Sequence, residues 1–153
     1  FIDRRHPRSN YGSRQFLHVR TKKKGARESL LKFHLYELDK KCIRYATLSL
    51  YSLLGSAHSG GTIVTLVPGA TRSARRWKEN EATWRSIKQN LVQVNRLDIG
   101  PVNTDSWVDI DVVEEIKNES YVTFSIVSEG GTAKYASKES KSGNSPKLSI
   151  TLC

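Results

Sequence analysis

Hydrophobic and polar residues alternate with a period of two near the start of the chain. Between residues 15 and 36, the apolar side chains that share one face are Leu17, Val19, Leu31, Phe33 and Leu35. Because successive side chains of a strand point to opposite faces, this pattern predicts two half-buried strands. Residues 23–26 lie between them and include Gly25, which favours a turn. Residues 15–36 are therefore predicted to form an antiparallel hairpin.

The same alternation returns further along the chain. It predicts strands at 43–53, 62–67, 107–110, 121–127, 134–137 and 147–152, separated by segments rich in Gly, Pro, Ser and Asn. Only 111–118 has a helical pattern, and it is short. Many short alternating strands favour an all-β fold, here an antiparallel β-sandwich of the jelly-roll type. A chain of 153 residues fits a single domain over 1–153.

Positive charge is concentrated at one end of the sequence. Of the net charge of +10, residues 1–32 carry +8, because ten Lys and Arg stand there against only Asp3 and Glu28. The rest of the chain is close to neutral. A cluster of this kind predicts a polyanionic partner.

The predicted hairpin places part of this charge on one surface. Its solvent face would carry Arg20, Lys22 and Lys32 together with His18 and His34, in two rows about 4.8 Å apart. Like charges on neighbouring strands destabilise a sheet, so such a grid indicates use in binding. Protonation of the two histidines below about pH 6.5 would add charge. Tighter anion binding at about pH 5.5 than at about pH 7.5 is the consequence expected from this placement.

Other features limit the remaining classes. The longest nearly apolar run, near 63–67, is far shorter than a bilayer-spanning helix, so no membrane partner is expected. No export signal opens the chain at Phe1, and we expect one to have been removed or to lie outside it. Cys42 and Cys153 leave open both one disulfide and two plain thiols. No dense carboxylate cluster is visible, so no cofactor is required, although a structural calcium ion remains open.

Seven short segments occur in an order that resembles a known family. They are Asn10-Tyr11-Gly12-Ser13, Leu31-Lys32-Phe33-His34-Leu35, Ala46-Thr47-Leu48-Ser49-Leu50-Tyr51, 77–84, Trp107-Val108-Asp109-Ile110, 135–140 and 146–151. Together they cover nearly the whole chain and resemble the DNRLRE-type β-sandwich domains, which include carbohydrate-binding module family 96. The resemblance implies a secreted, extracellular and non-catalytic module that accompanies polysaccharide-degrading enzymes. It also implies that Trp77 and Trp84 pack in a corner of the fold.

Alginate is the first ligand that the resemblance implies, with other uronate or sulfated glycans as alternatives. Lys supplies a mobile point charge and Arg a planar fork, and both suit the carboxylates of such a polymer. The residues predicted to bind it are Arg14, Arg20, Lys22, Lys24, Arg27 and Lys32, with Tyr135 as a stacking or hydroxyl partner. A monomer is expected.

Three other functions remain as alternatives. A polysaccharide lyase acting on uronates would need Tyr, His, Arg and Asn or Gln to converge, and Tyr36, His18 and His34 have no evident acidic partner. A nucleic-acid binder would share the basic charge, but no helix-turn-helix, zinc knuckle or aromatic RNA-binding strand is present, so no nucleic acid is expected. A structural or adhesive extracellular module differs from a carbohydrate-binding accessory only in what it is attached to.

Overall fold

The computed structural model describes residues 1–21, 25–35, 38, 42–55, 59–69, 77–116, 120–128 and 130–153. The described elements are β1 (Ile2–Asp3), β2 (Phe16–Arg20), β3 (Arg27–His34), β4 (Ile43–Leu54), β5 (Thr62–Pro68), α1 (Trp84–Asn90), β6 (Leu91–Asp98), β7 (Ser106–Asp111), a 3-10 turn (Val113–Glu115), β8 (Tyr121–Val127), β9 (Thr132–Ala136) and β10 (Lys147–Leu152). The strands pair antiparallel. The predicted all-β sandwich is confirmed.

Two layers of strands are joined through β3, which takes part in both. In the first layer β4 pairs with β7, β10 and β9, and β9 leads through β2 to the start of β3. In the second layer residues 29–34 of β3 pair with β8, followed by β5 and β6. The sheet is thus curled into a sandwich with an apolar core between its layers.

The alternating apolar residues of the predicted strands face this core. Leu17 and Val19 of β2, Leu48 of β4 and Phe124 of β8 all belong to it and are buried. Burying a side chain of this size contributes about 1.5–3 kcal/mol. The inward faces predicted from the period of two are therefore confirmed for these strands.

The second layer is buried on its outer face as well. Val64 and Leu66 of β5 pack there against Ile2 of β1 and Ile87 of α1, with Trp77 and Trp84 at the edge of this cluster. A strand covered on both faces has an almost continuous apolar sequence, as residues 63–67 do. The packing of both tryptophans against this cluster agrees with their expected place in a corner of the fold.

The α-helix lies where the sequence did not predict one. Thr83 caps α1 by accepting a hydrogen bond from the Ser86 amide, and Ser86 caps in return. The predicted helix at 111–118 is reduced to the 3-10 turn Val113–Glu115, and residues 117–118 lie outside the described part. Among the described residues, no helix has the length and apolar character required to cross a membrane.

The predicted pairing of the first hairpin is wrong. The backbones of β2 and β3 pair only at Arg20 and Arg27. β3 then turns into the second layer and pairs with β8. β2 pairs along its whole length with β9 instead, and Lys134 lies opposite His18. Lys32 lies opposite Thr123 rather than beside β2.

A disulfide joins Cys42 to Cys153, with their Cα atoms 5.4 Å apart. Cys42 precedes β4 and Cys153 follows β10, and the Cys153 amide also donates to the Cys42 carbonyl at 3.0 Å. The bond therefore closes the end of the β4–β10 ladder. The sequence left this question open, and the structure answers it.

Candidate functional site

The basic residues predicted to bind ligand do not share one sheet surface. Arg14 and Lys32 line one cleft, and Arg20 lines a separate groove. Arg27 lies between β1 and β2 and is engaged by Asp3. Lys22 and Lys24 lie outside the described residues, so their part in binding stays a prediction. The expected grid of two adjacent cationic rows is wrong because β3 crosses between the layers.

Tyr135 lies in the core and not on the surface where a sugar could stack. Its side chain is fully buried, and its hydroxyl donates to the Gly60 carbonyl at 2.7 Å. Gly60 is required there, since a Cβ at that position would stand 2.3 Å from the Tyr135 hydroxyl oxygen. Burial raises the pKa of Tyr135 well above its usual value. The expected role of Tyr135 as a ligand contact is corrected to a core contact.

Arg27 is the centre of a buried polar network. Its Nε donates to the Asp3 carboxylate at 2.7 Å, and its NH1 lies 2.7 Å from His18 Nδ1. The guanidinium also stands over the Phe1 ring, 5.1 Å from its centroid. Because its Nε and NH1 are engaged within the protein, Arg27 anchors the N-terminal segment, and a ligand contact by Arg27 stays a prediction.

His18 is buried under Phe1 and Phe16, contrary to its expected place on a solvent face. Burial, together with the neighbouring charges of Arg27 and Lys134, lowers the pKa of His18 to about 4. Its imidazole is therefore neutral at pH 5.5. The expected gain in anion binding at that pH cannot come from His18.

The low pKa of His18 has a consequence for stability. A histidine in the unfolded chain has a pKa near 6.5. Between about pH 6.5 and pH 4, His18 is therefore protonated in the unfolded chain but neutral in the folded protein. Stability from the neutral imidazole is present above pH 6.5 and falls as the pH decreases through this window. The urea midpoint of wild type should therefore decrease as the pH is lowered through this window. We expect the urea midpoint of His18→Gln not to show this decrease. The exposed His34→Gln is the matched control, and an identical pH dependence in all three proteins would contradict the assignment.

The first candidate site is a cleft of about 580 Å³, called here the aromatic cleft. Its aromatic and titratable lining residues are Phe1, Tyr11, Phe16, Phe33, His34, Trp77, Arg14, Lys32, Lys78, Lys138, Glu79 and Glu139. The cleft lies where the N-terminal segment meets the outer face of the second layer. A concave surface with aromatic rings and a few convergent polar groups is typical of a small-ligand site.

Lys32 projects from β3 into the base of this cleft. Its ammonium donates to the Trp77 carbonyl at 3.1 Å and lies 4.4 Å from the Tyr121 ring centroid and 5.3 Å from that of Trp77. Burial lowers the pKa of Lys32 below its usual value. Within the described part of the chain, no carboxylate forms a salt bridge with it. A partly desolvated cation of this kind gains from an anionic ligand.

Arg14 lies at the rim of the aromatic cleft, over a pair of stacked aromatic rings. The Phe1 and Tyr11 rings stack with centroids 4.7 Å apart, and the Arg14 guanidinium lies 5.9 Å from the Tyr11 centroid. Arg14 is exposed, and its planar fork can hold a carboxylate bidentately. Arg14 and Lys32 therefore offer two different cations to one cleft.

The wall opposite β3 is held by hydrogen bonds and ion pairs. Asn10 donates to the carbonyls of Glu79 and Ala82 at 2.6 Å and 2.8 Å. Lys138 pairs with the carboxylate of Glu79 and, at 3.6 Å, with that of Glu139. The hydrogen bond that Lys138 donates to Glu79 raises the pKa of Lys138. Lys138 is thus neutralised locally, and Lys78 pairs with Glu81 at 3.7 Å, which leaves Arg14 and Lys32 as the cations best placed for a ligand.

Sequence reasoning missed most of the aromatic lining. Tyr11 entered only as part of a family segment, and Trp77 was expected only to pack, whereas it both packs and lines the cleft. The available signal was the density of aromatic residues next to the basic segment. The sequence could not show that these residues form one cleft, because Phe1 and Trp77 are far apart in the chain and are brought together only by the tertiary fold.

A metal site has no support among the described residues, where no group of three or more His, Cys, Asp or Glu side chains could hold an ion. His18, one of the two histidines on the predicted cationic face, is engaged with Arg27.

A β-sandwich whose concave surface combines aromatic rings with two cations is compatible with a sugar-binding protein. The family model of carbohydrate-binding module family 96 matches residues 1–152, and the chain belongs to this family. No curated protein matches the chain. The chain is thus a carbohydrate-binding module, and modules of this kind are non-catalytic, which disfavours the lyase alternative.

Proposed function

We propose that this module binds an acidic polysaccharide, with alginate as the first candidate, in the aromatic cleft. The observation that carries the proposal is the half-buried ammonium of Lys32, which sits among aromatic rings and forms no salt bridge in the described part of the chain. A carboxylate of a uronate residue would offset its desolvation. Arg14 at the rim would hold a second carboxylate of the same polymer.

The energetics favour several contacts acting together. An exposed ion pair contributes about 0.2–1 kcal/mol, whereas a micromolar complex requires about 8 kcal/mol. The aromatic lining of the cleft adds apolar contact with the sugar ring. Lys32 is only partly exposed, so its contact with an anion is less screened than a surface pair. Affinity in the micromolar to millimolar range is the expected result.

An extracellular location is part of the proposal. The Cys42–Cys153 bond supports it, because disulfides form and persist in oxidising compartments such as the outside of the cell. We propose further that binding needs no metal ion, since the cations come from the side chains. Retention should then be unchanged by a chelator.

Removing the cations of the aromatic cleft is expected to weaken binding. Lys32→Met keeps the side-chain length and removes the charge, and Arg14→Ala removes the second cation. We expect each variant to lose roughly two- to fivefold in affinity for alginate, and the double variant more, since each loses one charge contact. Affinity gel electrophoresis with alginate in the gel measures the loss.

Lys147→Met is the matched control, because Lys147 also lies over a tryptophan ring, at 4.7 Å from the Trp107 centroid, but on the outer face of the first layer. Binding should also weaken when salt shortens the screening length from about 10 Å at 0.1 M to about 3 Å at 1 M. Equal retention of Lys32→Met, Lys147→Met and wild type would refute the cleft as the site.

A further inference from the structure

A second concave surface, called here the basic groove, lies on the other side of the N-terminal segment. It has a volume of about 720 Å³ and shares no lining residue with the aromatic cleft. Its polar and aromatic lining includes Arg4, Arg20, Lys88, Arg96, Gln93 and Trp84. The Arg85 amide donates to the Pro7 carbonyl at 2.9 Å, which ties the N-terminal segment to α1 beside this groove.

The charge of the basic groove is unbalanced. Glu28 is the one acidic residue in the lining, against three arginines and one lysine, which is a net charge of +3. Glu28 is itself engaged by Lys88 at 2.7 Å. The positive potential of the groove therefore comes from its arginines, which converge from the N-terminal segment, β2 and β6.

Arg20 is held in the groove at a cost that an anion would relieve. Its Nε donates to the Gly25 carbonyl at 2.8 Å, and it lies directly opposite Arg27 in the β2–β3 pair. Like charges opposite one another destabilise a sheet. Burial, with the charge of Arg27, lowers the pKa of Arg20. The nearby Asp3 carboxylate accepts its hydrogen bonds from Arg27 and from the Arg5 amide, and not from Arg20.

The groove also has features that suit a sugar ring. The half-buried Trp84 ring forms part of its wall, with the Lys88 ammonium 4.8 Å from the centroid. The exposed Gln93 lies beside it, and its side-chain oxygen accepts from Arg96 at 3.2 Å. Guanidinium forks, an amide and an indole together match an acidic pyranose, whose anionic group and hydroxyls they can bind.

We propose that the basic groove is a second binding site, which takes the carboxylate or sulfate groups of an acidic oligosaccharide independently of the aromatic cleft. The inference rests on the proposed function for the class of ligand. It adds Arg4, Arg20 and Arg96 as ligand contacts. A module with two such sites would bind a long polymer more tightly than a short fragment, since the second contact becomes intramolecular.

The three tryptophans provide a separate reporter for each surface. Trp84 lies in the basic groove, Trp77 in the aromatic cleft and Trp107 on the outer face of the first layer. We therefore propose to follow their indole N–H signals by NMR during titration with a uronic-acid tetrasaccharide from alginate, a sulfated galactose oligosaccharide and cellotetraose as the neutral control. We expect Trp84 to shift saturably with an acidic probe and to stay in place with cellotetraose.

Variants of exposed residues then test the assignment. Arg4→Ala/Arg96→Ala should weaken the binding reported by Trp84 by roughly tenfold, as expected for two exposed charge contacts, and leave the binding reported by Trp77 unchanged. Arg44→Ala/Lys147→Ala removes the same charge from the first layer and is the matched control. The spectra themselves show whether each variant is folded.

The outcomes separate the two proposals. Movement of Trp84 with one acidic probe supports the groove and identifies its preferred anionic group. A Trp84 signal that ignores both acidic probes, or that titrates equally in the Arg4→Ala/Arg96→Ala variant and its control, overturns the groove. If the Trp84 signal shifts while the Trp77 signal does not, the proposal for the aromatic cleft is wrong and the proposal for the basic groove is supported.

Discussion

Asp3→Asn is expected to lower the free energy of unfolding by about 2–4 kcal/mol. The carboxylate is fully buried and accepts from Arg27 at 2.7 Å and from the Arg5 amide at 2.9 Å. Removing one partner of a buried ion pair costs about 3–5 kcal/mol, because the other charge is left uncompensated. Arg27 keeps 23% side-chain exposure, so solvent screens the charge that is left behind and the expected loss is shifted to smaller values than this range. Urea unfolding at pH 7 measures the change.

The pH dependence of this loss has a definite sign. Burial by itself would raise the pKa of Asp3, but the hydrogen bond from Arg27 and the Arg5 amide outweigh it, and the pKa lies below its usual value of 3.8. The ion pair therefore contributes fully above about pH 4 and is lost as the pH falls through the lower, folded value. The difference between Asp3→Asn and wild type should be constant from pH 7 to pH 5 and shrink below pH 4.

Asp109→Asn is the matched control for Asp3→Asn, because Asp109 is exposed and bonds only the Ser49 hydroxyl among the contacts described. We expect that variant to remain within about 0.5 kcal/mol of wild type. Asp3→Asn should also loosen the segment that walls both the aromatic cleft and the basic groove, since β1 pairs with β3 through Asp3 and Arg27. Equal stability of both variants at pH 7 would contradict the role of the buried pair.

Loss of the disulfide is expected to have the largest effect on stability. The bond closes a loop with a sequence separation of 111, and a loop of about this length restricts the unfolded chain by about 4–5 kcal/mol in the chain-entropy treatment. Measured losses for native disulfides are about 2–5 kcal/mol. We therefore expect Cys42→Ser/Cys153→Ser to unfold at a much lower urea concentration than wild type.

Two comparisons make the disulfide test specific. Cys153→Ser alone should destabilise the protein as much as the double variant does, because either change breaks the bond. A reducing agent should bring wild type to the same midpoint and leave the double variant unchanged. A double variant within about 0.5 kcal/mol of wild type would be incompatible with a closed Cys42–Cys153 bond.

The sequence by itself determined the fold class and the inward faces of the main strands. The alternation of residues such as Leu17 and Val19, or Val122 and Phe124, is a local property of an extended chain, and burial followed it. The same reasoning missed α1 and β6, because α1 buries only Ile87 and β6 keeps most of its side chains exposed. Such elements have no periodic apolar stripe to detect.

Only the tertiary structure decided how the charged and aromatic residues meet. β3 pairs with β2 at a single residue pair and then with β8. Lys32 and Arg20 therefore line different concave surfaces, although they are only twelve positions apart in the chain. Phe1 and Trp77 converge on one cleft, and Asp3 reaches Arg27, through long-range packing. The side-chain period records which face a residue occupies, but not which strand lies beside it. That second choice is made by strand pairing across the whole chain.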